Sequence, residues 1–95
     1  MANVGQHVKQ ITALQLFGTT VRERRNQLGL TQENLAWKTG LHRSYIGAME
    51  RGGRNVSLNN ILRLAVALQL PPSHLLQPFD TRRDLLPALE RDDCT

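Results

Sequence analysis

The stretch that decides the fold is Thr31 to Arg51, TQENLAWKTGLHRSYIGAMER. Thr31 offers a side-chain oxygen to cap a helix beginning at Gln32, and Leu35, Ala36 and Thr39 follow at the spacing of one helical face. Gly40 stops that helix, because glycine takes up the positive φ that turns the chain at little steric cost. A second short helix, from His42 to about Arg51, then sets Ile46 and Met49 inward one turn apart. Two helices that cross closely need a small residue at the crossing, and Ala36 supplies it; Ile46, beyond Gly40, plugs the angle between them. An ordinary αα-hairpin shares the periodicity, but the capped short helix and the tight turn fit a helix-turn-helix better.

The flanks extend this pattern. Upstream, Thr12 stands as an N-cap before Leu14, Phe17, Val21 and Leu28, which line one helical face that Arg25 shares, and Gly29 closes the segment. Downstream, Gly52-Gly53 ends the third helix and Ser57 caps a fourth, with Leu58, Ile61, Leu62, Ala65 and Leu68 as its apolar stripe and Asn60 and Arg63 outside it. Pro71-Pro72 blocks continuation, and Ser73 to Leu76 make one further turn before Pro78. Residues 1–11 lack periodicity and read as a flexible arm, residues 12–79 as the folded domain, and residues 80–95 as a tail. In that tail Asp84, Leu85, Leu86 and Leu89 allow a short helix, whose leucines either pack on the body or meet a protein partner. No strand pattern, repeat or low-complexity tract is present, so the expected class is all-α, a compact bundle of about five helices.

Composition narrows the function. Ninety-five residues with 40% hydrophobic content make one small domain and exclude a two-domain enzyme; sixteen leucines against four aromatics give an aliphatic core. The single cysteine, Cys94, provides neither an intramolecular disulfide nor a cysteine metal cluster, and His7, His42 and His74 are scattered. No metal, cofactor or catalytic residue is therefore expected. Neither a membrane span nor a secretory signal is legible, so the expected location is the cytoplasm, on the nucleoid when DNA-bound. The charge is uneven: residues 1–56 hold eight Lys or Arg against three acids, and residues 57–95 hold four against five. Ten of the twelve cations are arginine, whose planar fork suits phosphates and guanine edges, which points to a polyanion.

From Phe17 to Leu76 the chain resembles the phage-repressor and Cro-like (Xre-type) helix-turn-helix proteins. The matching elements are FG at Phe17-Gly18, Arg22 and Arg25 before LGLTQE at Leu28 to Glu33, and LA at Leu35-Ala36. HRSYI at His42 to Ile46, MERG at Met49 to Gly52 and RNVS at Arg54 to Ser57 complete the set. HRSYI followed by ERGGRN is most similar to the controller proteins that time expression in restriction-modification systems. The resemblance implies a lambda-repressor-like DNA-binding domain that acts as a homodimer on operator DNA. It also implies an ion pair between Arg25 and Glu50, inward charges that need each other, and a phosphate contact through Gln32.

The third helix would then enter the major groove by its N-terminal end, with positions 43, 44, 47, 48 and 51 on its outer face. Arg43 is the leading base reader, ahead of a phosphate contact, because a bidentate arginine to guanine is the commonest specific pairing; Ser44 reads either edge. Tyr45 lies at the boundary, where a packed ring and a DNA contact are equal alternatives. Gly47 and Ala48 shorten direct readout and allow close approach, leaving part of the sequence dependence to DNA shape. His42 departs from the usual Ser or Thr cap, and a structural cap is preferred to a DNA contact. Arg51, Arg54 and Asn55 follow where phosphates pass, although for Arg54 and Asn55 a solvated loop serves as well. Trp37 reads as a packing or interface residue rather than a base-stacking platform. The expected function is a sequence-specific double-stranded DNA-binding regulator, a homodimer on an inverted repeat. The alternative is an antitoxin-like protein that represses its own operon and neutralises a toxin through the arm or tail.

Overall fold

A computed structural model describes residues 10–89; most of the expected arm, the charged end from Glu90 to Asp93 and Cys94 lie outside the described residues. Five helices follow one another: α1 (Ala13–Gln27), α2 (Gln32–Thr39), α3 (Arg43–Glu50), α4 (Leu58–Ala67) and α5 (Pro72–Leu76). Two 3₁₀ turns, Gln77–Asp80 and Arg83–Leu85, come after them. The class is all-α, and no strand occurs among the described residues.

Three of the helices, α1, α2 and α4, start where a side chain satisfies their orphan amides. Thr12 accepts from the Gln15 amide at 3.0 Å while the Gln15 side chain accepts from the Thr12 amide at 3.0 Å. Thr31 and Asn34 repeat this reciprocal box at α2. Such caps contribute about 1 kcal/mol each, which matters for an eight-residue helix that cannot stand alone. At the end of α1 the Leu30 amide donates to Arg25 O and the Gly29 amide to Asn26 O, the paired bonds of a Schellman stop. Gly40 ends α2 at φ 75°. His42 occupies the N-cap position of α3, but its side chain makes no capping bond.

The core is built from Phe17 and Val21 of α1, Leu35 and Ala36 of α2, Ile46 and Met49 of α3, Leu64, Ala65 and Leu68 of α4, and Leu75 of α5. Ile46 is fully buried beside Ala36, as the crossing of α2 and α3 requires. The stripe expected on α4 is rotated. Leu58 and Leu62 are exposed, at 69% and 40%, and Leu64 is fully buried. At 100° per residue, Leu58, Leu62 and Val66 form a separate ridge turned away from the core. α4 also stops before the prolines, at a left-handed Gln69 (φ 57°), and Arg24 of α1 donates to the carbonyls of Leu68 (3.0 Å) and Gln69 (3.4 Å) there.

Of the two readings of Trp37, packing and interface, the structure removes the first: the side chain is 86% exposed, because Leu35, Ala36 and Thr39 occupy the inward face of α2. Among the described residues of the tail, a three-residue 3₁₀ turn stands in place of the expected short helix, Leu86 and Leu89 face outward, and the Asp84 side chain pairs with Arg82 at 2.9 and 3.0 Å rather than capping.

α1 reaches α3 closely at Gly18. A Cβ added there would overlap the backbone carbonyl oxygens of Met49 and Glu50, which cannot yield without moving α3. Gly18→Ala is therefore expected to lower stability by about 1 to 3 kcal/mol in urea denaturation. Gly29→Ala meets open space at φ 71° and should lose only about 1 kcal/mol from backbone conformation. The reverse order would show that backbone approach does not set the α1–α3 spacing.

Candidate nucleic-acid interface

Beneath the outer surface of α3 lies a charge cluster that joins three helices. Arg25 of α1 donates from Nε to Glu50 Oε2 at 2.7 Å and from Nη2 to Glu50 Oε1 at 2.9 Å, a fork-to-fork geometry. Its remaining Nη1 donates to the Leu30 carbonyl at 2.9 Å, and Gln32 Nε2 of α2 donates to Glu50 Oε1 at 3.1 Å. Arg25 and Glu50 are 9% and 6% exposed, and no buried side-chain polar atom among the described residues lacks a partner. The hydrogen bonds it donates to Glu50 hold the Arg25 guanidinium above its already high ordinary pKa, against the opposing effect of burial. The cluster thus fixes the C-terminal turn of α3 to α1 and to the first residue of α2.

On this support α3 turns Arg43 and Ser44 to solvent at its N-terminal end, with His42 exposed just before them. Tyr45 is half-buried; its hydroxyl accepts from Asn60 Nδ2 of α4 at 3.2 Å, and the Arg54 guanidinium lies 5.4 Å from its ring centroid. The ring packs against the core, and its hydroxyl is engaged by α4.

Gly47 is not on an open outer face. It is buried, and a Cβ there would lie 3.4 Å from Arg51 Nη1 and 3.5 Å from Gln32 Oε1, so these two side chains drape over it. Ala48 is half-buried, and Arg51, Arg54 and Asn55 are exposed. The residues singled out from the sequence therefore separate by burial: Arg25 and Glu50 are buried and Gln32 is half-buried beside them, whereas His42, Arg43, Ser44, Arg51, Arg54 and Asn55 are exposed. Gln32 has its amide nitrogen committed to Glu50, leaving its backbone N–H at the start of α2 without an intrahelical partner.

Sequence reasoning missed Asn60, placed outside the stripe, and Arg63, which donates to the Thr39 carbonyl at 3.2 Å and so caps the end of α2. A Ser57-x-x-Asn60 pattern signals only a local cap; nothing in it announces a partner fifteen residues away.

An open depression of about 720 Å³ lies between the α1–α2 turn and α3, bordered by Gly29, Leu30, Thr31, Gln32 and Arg43. It is wide and polar, unlike a small-molecule pocket. No cluster of His, Cys, Asp or Glu among the described residues could hold a metal ion, and no described helix is long and apolar enough to cross a membrane.

The helix-turn-helix family profile matches residues 21–75. A curated relative, the control protein C.BamHI of Bacillus amyloliquefaciens, is 48% identical over 62 residues, 64% of this chain and 76% of the relative. Among solved structures, the restriction-modification controller protein C.AhdI of Aeromonas hydrophila superposes with a TM-score of 0.64 at 56% identity, over 65% of this chain and 94% of that one. The controller protein C.Esp1396I, solved as a tetramer in complex with its natural 35 base-pair operator, gives 0.66 at 25% identity, over 75% and 93%.

The ion pair makes a stability prediction. Glu50→Ala leaves the Arg25 guanidinium buried without its carboxylate and should lower the unfolding free energy by about 3 to 5 kcal/mol. Replacing both residues by apolar ones of similar volume, Arg25→Met with Glu50→Leu, should recover most of that loss. Guanidinium chloride titrations of the three variants measure both effects; a double variant as unstable as Glu50→Ala would contradict the pairing.

Proposed function

The chain belongs to the helix-turn-helix family, and from that premise we propose that it is a controller-type transcriptional regulator that grips an inverted-repeat operator as a homodimer. The observation that carries this reading is the exposure of Arg43 and Ser44 at the leading end of a helix whose trailing end is clamped by the Arg25–Glu50–Gln32 cluster. A rigidly held helix tip with a forked cation suits the floor of the major groove.

In this reading Arg43 takes the O6 and N7 acceptors of a guanine, and Ser44 reads a neighbouring edge. The backbone amide of Gln32, with Arg51, Arg54 and Asn55, takes phosphates on either side and sets register rather than sequence. His42 remains a backbone cap beside the groove, and Ala48 permits close approach. The protein acts by occupying DNA in the cytoplasm, without catalysis.

The α4 ridge of Leu58, Leu62 and Val66, continued by residues 70–79, supplies the dimer surface: an apolar strip on a helix outside the DNA-facing side favours an isologous contact. Such a dimer sets its two α3 helices about 34 to 36 Å apart, one turn of duplex. That C.Esp1396I was solved as a tetramer on its operator supports assembly on DNA as the working state.

Selection of binding sites from a random duplex library should enrich an inverted repeat with half-sites about 10 base pairs apart, centre to centre. Failure to enrich any motif over random DNA would move attention to the antitoxin reading and to a missing protein partner. On the selected site Arg43→Ala should cost about 1 to 3 kcal/mol and relax one base position, whereas equal losses on selected and random DNA would remove Arg43 from base reading. Arg54→Ala should weaken both and reduce the slope of log affinity on log salt by about one. Val66→Asp should shift sedimentation to monomer with the helical circular dichroism retained; an unchanged dimer would place the contact elsewhere.

A further inference from the structure

Asn60 stands at the third position of α4, where its backbone N–H donates to the Ser57 side chain at 3.1 Å. At the equivalent positions of α1 and α2, Gln15 and Asn34 return the favour and accept from the N-cap backbone. Asn60 does not. Its side chain is directed across the structure to the Tyr45 hydroxyl, giving up the local reciprocal bond for a contact with the recognition helix.

The polarity of that contact matters. Asn60 Nδ2 donates, so a lone pair of the Tyr45 oxygen is occupied and the phenolic proton is free to donate. No acceptor for it is recorded among the described residues, and the half-buried ring confines the hydroxyl to the rim of α3. Arg54, exposed and over the same ring, carries a cation beside it. A proton of fixed direction and a guanidinium stacked on the same phenol make a two-point receptor for one anionic oxygen group.

We propose that Asn60 is a positioning residue: it orients the Tyr45 hydroxyl so that Tyr45 and Arg54 together clamp one DNA phosphate at the edge of the reading helix. Tyr45 and Arg54 touch the phosphate; Asn60 acts only through Tyr45. The inference rests on the DNA-binding reading above and adds to it a residue on α4 that otherwise has no part in recognition.

The test is a double-mutant cycle in the full chain, with affinities measured on the selected site and on a random duplex of equal length. Asn60→Ala keeps the backbone N–H that Ser57 caps, so its thermal midpoint should stay near wild type. Asn60→Ala and Tyr45→Phe should each weaken binding about fivefold to tenfold on both duplexes, since a charge-assisted hydrogen bond to phosphate is blind to sequence. The double variant should be no weaker than Tyr45→Phe alone. Losses that multiply in the double variant, or Asn60→Ala binding like wild type, would overturn the positioning role. A loss confined to the selected site would overturn the phosphate assignment and make Tyr45 a base reader. Wild-type protein that binds neither duplex removes the DNA-binding reading itself, and the proposal with it.

Discussion

A guanidinium and a carboxylate, each almost without water, meet through two short hydrogen bonds where α1, α2 and α3 converge. Through that pair the trailing end of α3 is fastened to α1 and to the start of α2. Burying two charges is expensive, and their attraction offsets the desolvation only when geometry is good and the remaining polar atoms find partners. Here the Leu30 carbonyl and the Gln32 amide complete the set. Leu30 belongs to the turn between α1 and α2, and Gln32 is the first residue of α2, so the pair also sets where the second helix begins. A purely apolar contact of the same volume would bury as well but would not specify the rotation of α3 about its axis.

The rotation is sharpened by shape. Gly18 brings the α1 backbone against the carbonyls of Met49 and Glu50, and Ile46 fills the angle beside Ala36. A short helix such as α3 has few contacts through which to be held: its ion pair and its close backbone approach grip the last turn at Met49 and Glu50, and its plug, Ile46, acts about one turn earlier. What is left exposed is the leading tip, where the side chains of Arg43 and Ser44 take part in none of the hydrogen bonds among the described residues.

Much of this was legible in the sequence. The caps at Thr12, Thr31 and Ser57, the stops at Gly29 and Gly40, and the Ala36–Gly40–Ile46 spacing are local signals, and local chemistry dictates them. The arrangement of charges at Arg25 and Glu50 was legible for a different reason: an arginine on an apolar face demands a partner. The α4 stripe was misread because Leu58, Ile61, Leu62, Leu64, Ala65, Val66 and Leu68 cover more than one face, and periodicity cannot choose between neighbouring faces when both are apolar. Only the packing of Leu64 under α2 decides it. Gln69 in a left-handed turn and Arg24 across its carbonyls are likewise tertiary facts, as is the reach of Asn60 to Tyr45. For Trp37 periodicity left packing and interface open, and its position off the inward face of α2 removes only packing.

The covered Gly47 and the half-buried Ala48 have a consequence for how much sequence one subunit could read. On the proposed reading, direct contacts fall to Arg43 and Ser44, each worth about 1 to 3 kcal/mol of discrimination. One subunit then separates right from wrong DNA by roughly 2 to 6 kcal/mol, the low end of the 4 to 10 kcal/mol that usually divides specific from non-specific binding. Two subunits reading an inverted repeat double the figure and reach that range without lengthening α3. On that same reading a helix with so short a reading edge calls for a second copy of the chain, and the proposed docking face, the exposed Leu58, Leu62 and Val66 ridge, lies on α4, the helix from which Asn60 donates to Tyr45.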